Sequence, residues 1–129
     1  MTATADRKPL LSTLWIFAIF NYAYADLLMM IVSPEVYQRA AAKMTGTVVL
    51  GFAVLMEIPI AMVLLCRILP YRANRWANII AGLESIVFVA FTLGGNPPPF
   101  YVFFSTLEIA CTLFIVWYAW TWRIPGAVR

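Results

Sequence analysis

Thr47-Val48-Val49-Leu50-Gly51-Phe52-Ala53-Val54-Leu55-Met56-Glu57-Ile58-Pro59-Ile60-Ala61-Met62-Val63-Leu64-Leu65-Cys66-Arg67-Ile68-Leu69 is an apolar run with one acid at its middle and one base near its end. As a helix rising about 1.5 Å per residue, such a run crosses a hydrocarbon core about 30 Å thick. Lipid offers no partner for backbone N–H and C=O groups, so a helix is the form it must take there. Three more runs of spanning length lie outward from it, at Leu11–Val32, Trp76–Leu93 and Phe100–Trp122. The expected fold is therefore all-α: a polytopic membrane protein forming a four-transmembrane-helix bundle. Residues 1–129 make one domain, with helices at roughly 11–32, 47–69, 76–93 and 100–122. The bulk composition agrees, at 64% hydrophobic, 12% charged and a mean hydropathy of +0.86. Soluble domains carry about 25% charged residues. A soluble chain of this size could not hide so much apolar surface.

The basic residues indicate an orientation. Arg7, Lys8, Arg67, Arg72, Arg75, Arg123 and Arg129 fall on one side of the predicted spans, and only Arg39 and Lys43 on the other. By the positive-inside rule both termini are cytoplasmic, an N-in/C-in topology. The net charge of +3 thus reads as a topology determinant and not as a nucleic-acid surface. Arg7-Lys8, an apolar stretch and Ala23-Tyr24-Ala25 resemble a cleavable signal peptide. The apolar run resumes at Leu27 and completes a span, so the segment is expected to stay as the first helix. Pro34 stops that helix, and Ser33 is placed to cap a short amphipathic segment at Glu35–Met44. Gly94-Gly95-Asn96-Pro97-Pro98-Pro99 makes a stiff, non-helical turn. Trp15, Tyr71, Trp76, Trp117, Trp120 and Trp122 lie toward the predicted cytoplasmic ends, where such rings anchor at the interface. Cys66 and Cys111 are expected at different depths, as small apolar fillers and not as a disulfide.

Four of the six acidic residues sit inside the runs, one per helix: Asp26, Glu57, Glu84 and Glu108. Each charge at mid-membrane costs about 2.5–3.5 kcal/mol on insertion scales. Four carboxyls clustered away from water would hold protons at neutral pH unless a cation shares the space. Their positions put all four within reach of one layer slightly outside the midplane. Helical spacing gives them polar company: Asn21 and Tyr22 near Asp26, and Tyr101, Ser105 and Thr112 on the stripe of Glu108. Gly46, Ala53, Glu57 and Ala61 make a small-residue stripe. Pro59 removes a helical hydrogen bond beside Glu57 and is a candidate hinge. These residues are the expected ligand- or proton-binding set, lining an intramembrane cavity that exchanges protons for a small cationic or basic ligand. Two alternatives remain open. One is a membrane enzyme using carboxyls as acid and base on a lipid-soluble substrate. The other is an accessory or structural subunit whose acids only bond between helices. The chain has no His, which removes the commonest metal ligand and the usual general base. No cofactor is expected. A divalent cation on carboxylate oxygens stays open as a branch of the binding reading. The expected partners are the bilayer and the small cation or proton, with a homo-oligomer as a further option.

Leu55-Met56-Glu57-Ile58-Pro59-Ile60-Ala61-Met62-Val63-Leu64-Leu65, followed by Tyr71-Arg72-Ala73-Asn74-Arg75-Trp76-Ala77-Asn78-Ile79, resembles the signature of an uncharacterised family of small four-span bacterial membrane proteins. Leu11-Ser12-Thr13-Leu14-Trp15-Ile16-Phe17, Asn21-Tyr22, Tyr24-Ala25-Asp26 and Glu108-Ile109-Ala110-Cys111-Thr112-Leu113 carry the same likeness, which covers nearly the whole chain. The resemblance implies four helices in a bacterial inner membrane and supplies no activity.

Overall fold

A computed structural model describes residues 6–123. Those residues form five helices: α1 (Lys8–Val32), α2 (Pro34–Ala42), α3 (Gly46–Ile68), α4 (Tyr71–Leu93) and α5 (Pro99–Trp120). All but α2 are long and apolar enough to cross a membrane. No strand occurs among the described residues. The fold is the all-helical, four-span bundle read from the sequence. Arg129, counted above toward the orientation, lies outside the described residues.

The helix boundaries shift where polar residues misled a hydropathy reading. Helix α4 begins at Tyr71, before the expected Trp76, because Asn74 and Arg75 are helical and buried. Their side chains bond to backbone carbonyls, so the polar turn belongs to the bundle and not to a loop. Helix α1 begins at Lys8, with Pro9 in its first turn, where a missing N–H costs nothing. Ser33 precedes α2 but makes no side-chain cap, and its own N–H closes the end of α1 on Met29 O. Thr45 is the capping residue, its hydroxyl accepting from Val48 N at 3.3 Å. The link to α5 turns through Asn96 at φ 60°, a left-handed geometry that Asn tolerates better than most side chains.

Helix α5 packs against both α1 and α4, α1 packs against α3, and α3 touches α4 more sparsely. Gly82 lets α4 and α5 approach closely: a Cβ there would lie 2.5 Å from Val116 Cγ2. The core runs through Leu11, Trp15, Ala18, Met62, Cys66, Ala81, Cys111, Ile115 and Trp122. Both thiols are free and buried. Two of the expected interfacial anchors, Trp15 and Trp122, are core residues instead. Trp15 is drawn inward because its indole N–H finds Asn78 Oδ1 at 2.8 Å. Trp76, Trp117 and Trp120 stay exposed on the outer surface.

At one end, here called the base, α1 and α4 begin and α3 and α5 finish. Polar atoms there are closely tied together. Asn78 Nδ2 donates to Asn74 O and Oδ1, while Asn74 Nδ2 donates to Cys66 O at 2.6 Å. Ser12 Oγ donates to Val63 O at 2.8 Å. The Tyr71 hydroxyl donates to Trp122 O. Two guanidinium groups close the C-terminal end of α5. Arg75 Nη2 donates to Trp120 O at 2.9 Å, and Arg7 Nη1 donates to Tyr118 O at 2.7 Å and Thr121 Oγ1 at 2.8 Å. Cations at a helix C-terminus meet its last free carbonyls and the negative end of its dipole. Arg7 also lies over the Tyr118 ring, 4.3 Å from its centre. The contacts of Arg7 put both described chain ends at the base.

Candidate functional site: a carboxyl cluster between α1, α4 and α5

Helix α5 turns Ser105, Glu108, Cys111, Thr112, Ile115 and Ala119 inward, the spacing of one helical face. Glu108 is therefore buried, 3% exposed, between α5 and its neighbours. Its carboxyl oxygens are not among the buried polar atoms without partners, which in the described residues are the Tyr22 hydroxyl and Glu84 Oε1. Thr112 does not help the Glu108 carboxyl, since that hydroxyl donates back to the carbonyl oxygens of Glu108 and Ile109, at 2.8 and 3.1 Å. Ser105 is buried one turn away.

Helix α1 contributes Tyr22 and Asp26. The Tyr22 hydroxyl is buried without a hydrogen-bond partner, although Ser85 lies beside it and Glu84 and Glu108 are within electrostatic reach. Asp26 is more open at the bundle surface, yet close enough to interact with Glu108. Asn21 is buried but turned to its own helix, Nδ2 donating to Phe17 O at 2.8 Å. Helix α4 supplies Glu84, whose Oε1 is buried and unpartnered while Oε2 accepts a long bond of 3.4 Å from Ser85 Oγ. Tyr101, half-buried at the start of α5, approaches Thr92 and lies in the field of Asp26 and Glu108.

Glu84 and Glu108 thus lie within electrostatic reach of Tyr22, and Asp26 within reach of Glu108, while Glu57 does not join them. Glu57 is exposed on the far side of α3, whereas Pro59 is buried against the bundle. Gly46, Ala53 and Glu57 of the stripe are exposed and Ala61 is half-buried, so this helical face turns mostly outward. Pro59 and Glu57 are nearly opposite one another around α3, so the proline does not shape the surroundings of that carboxyl. On α4 the buried face passes beside Glu84, which is half-buried. It runs through Asn74, Asn78, Ala81, Ser85 and Val89, with Phe91 exposed. Ser85 and Thr92, absent from the expected set, join the cluster through this stripe. The spacing of Asn74, Asn78, Ala81 and Ser85 in the sequence carried that signal. No group of three His, Cys, Asp or Glu among the described residues is placed to hold a metal ion.

Spanning helices packed around buried polar groups define a small multi-pass membrane protein. The chain belongs to the family described as "Family of unknown function (DUF6326)", which matches residues 2–127. No curated protein and no solved structure matches it.

Proposed function

We propose that this small membrane protein takes up and releases protons at Glu108 and exchanges them for a small cationic or basic ligand. Asp26, Tyr22, Glu84, Ser85 and Tyr101 provide the surrounding polar shell. The observation that carries the reading is a pair of buried polar atoms without partners among the described residues, the Tyr22 hydroxyl and Glu84 Oε1, with Tyr22 within electrostatic reach of the buried residue Glu108. Native interiors pair their polar atoms, so a cluster left open marks a place where a proton, water or cation completes the bonding. Intramembrane carboxyls are expensive to keep and mark proton and ion pathways in membrane proteins. Ser105 and Thr112 line the same buried face of α5. The seven-to-two bias of basic residues supports cytoplasmic termini, in a bacterial inner membrane as the family resemblance implies.

The test uses purified full-length protein in liposomes with an entrapped pH dye and tetraphenylphosphonium as the cationic probe. Addition of the probe releases protons from the wild type, and Glu108→Gln abolishes that release while keeping the wild-type unfolding temperature. Asp26→Asn weakens the release without abolishing it, since Asp26 acts on Glu108 from the more open edge. Unchanged proton release in Glu108→Gln refutes the reading and favours an accessory subunit whose acids bond only between helices.

A further inference from the structure

Glu57 is the middle residue of α3 and is exposed. At about 100° per residue it shares a face with Leu50, Ala53, Val54, Ile60, Ala61 and Leu64. Leu50, Val54, Ile60 and Leu64 are among the exposed apolar side chains, while Met62 and Cys66 on the opposite side are buried. The face is thus apolar apart from one carboxyl at its centre. From mid-span, about 15 Å from either edge of the hydrocarbon, a glutamate is too short to reach the headgroups. No hydrogen bond from the described residues reaches that carboxyl. A lone chain therefore presents to lipid a group that lipid cannot satisfy.

We propose that the chain forms a two-fold dimer in the membrane through the Glu57 face of α3, with the two Glu57 carboxyls hydrogen-bonded across the axis. A second copy in the same orientation is related by rotation about the membrane normal, which preserves depth, so Glu57 of one protomer meets Glu57 of its partner. A protonated carboxyl is both donor and acceptor, which makes the pair self-complementary, as a two-fold interface requires. Ala53 and Ala61 lie one turn to either side of Glu57 and let the two α3 backbones come close. The rest of the face offers only van der Waals packing, so the carboxyl pair selects this partner and this depth over lipid. The contact is independent of proton exchange at Glu108, which lies between α1, α4 and α5 of one protomer.

The experiment places single cysteines in the full-length chain in lipid vesicles and applies a mild oxidant, with the unsubstituted protein as baseline. Ala53→Cys and Ala61→Cys give a disulfide-linked dimer, and Val87→Cys on α4 and Phe103→Cys on α5 stay at baseline. Energy transfer between labelled chains, diluted with lipid, then reads the carboxyl itself. Glu57→Leu weakens association about tenfold, the worth of one hydrogen bond between membrane helices, whereas Glu57→Gln, which keeps a donor and an acceptor, associates like the wild type. A monomer in vesicles, equal cross-linking at the α4 and α5 positions, or wild-type association by Glu57→Leu each overturns the proposal.

Discussion

Near the start of α4, Asn78 accepts from Trp15 and Cys66 and donates to Asn74; farther along the same helix, Glu84 keeps an unpartnered oxygen near a Tyr22 hydroxyl that also lacks a partner. The two regions share helices, and both bury polar atoms in an apolar protein. They differ in closure. At the base, donors and acceptors from α1, α3 and α4 are matched in number and direction, and two guanidinium groups hold the end of α5. In the carboxyl cluster, the Tyr22 hydroxyl and Glu84 Oε1 are buried without a partner among the described residues. A closed polar net rigidifies and specifies one packing, while a half-satisfied one costs energy. The base is scaffold, and the cluster is where the chain gives up stability.

Substitutions at the base sharpen that contrast most strongly. Asn78→Leu strands the Trp15 N–H and Asn74 Oδ1, at about 1–3 kcal/mol for each orphaned group. Thermal unfolding in detergent should show a large fall in midpoint, and an unchanged midpoint would mean the net holds nothing. Arg75, only 6% exposed, is next. Arg75→Met keeps the packing of the stem but loses the bonds to Ala119 O and Trp120 O, a loss of about 1–2 kcal/mol that titration with a denaturing detergent can read. The smallest effect has the opposite sign. Tyr22→Phe removes a hydroxyl that no group satisfies, so stability stays level or rises by up to about 1 kcal/mol, while probe-driven proton release falls. A clear loss of stability in Tyr22→Phe would erase the distinction between the two regions.

Much of this was legible in the sequence, and the failures share a cause. The run around Glu57 fixed one spanning helix, and its three companions followed by the same length criterion. The stripe of Ser105, Glu108 and Thr112 faces inward, because polar residues repeat there at helical spacing. Glu57 had no such company: apolar side chains, large and small, surround it on every side of α3, so no polar face marked its direction. For α4 the error ran the other way. Asn74 and Arg75 looked like loop residues to a hydropathy reading, yet their side chains satisfy carbonyls on α3 and α5 and extend the helix. Nothing near Trp15 in the chain announces Asn78 as its partner, so position alone points that ring to the interface.

By itself, the sequence determined the number of long helices, their approximate extents and the burden of one acid in each. Those properties depend on length and apolar content, because a backbone in lipid must bond to itself. Only the tertiary structure decided which acids meet. The rotation of each helix about its own axis follows from side-chain packing with its neighbours, such as the close approach at Gly82, and a turn of half a circle changes no hydropathy sum. That freedom is why Glu108 faces the bundle and Glu57 faces away from it.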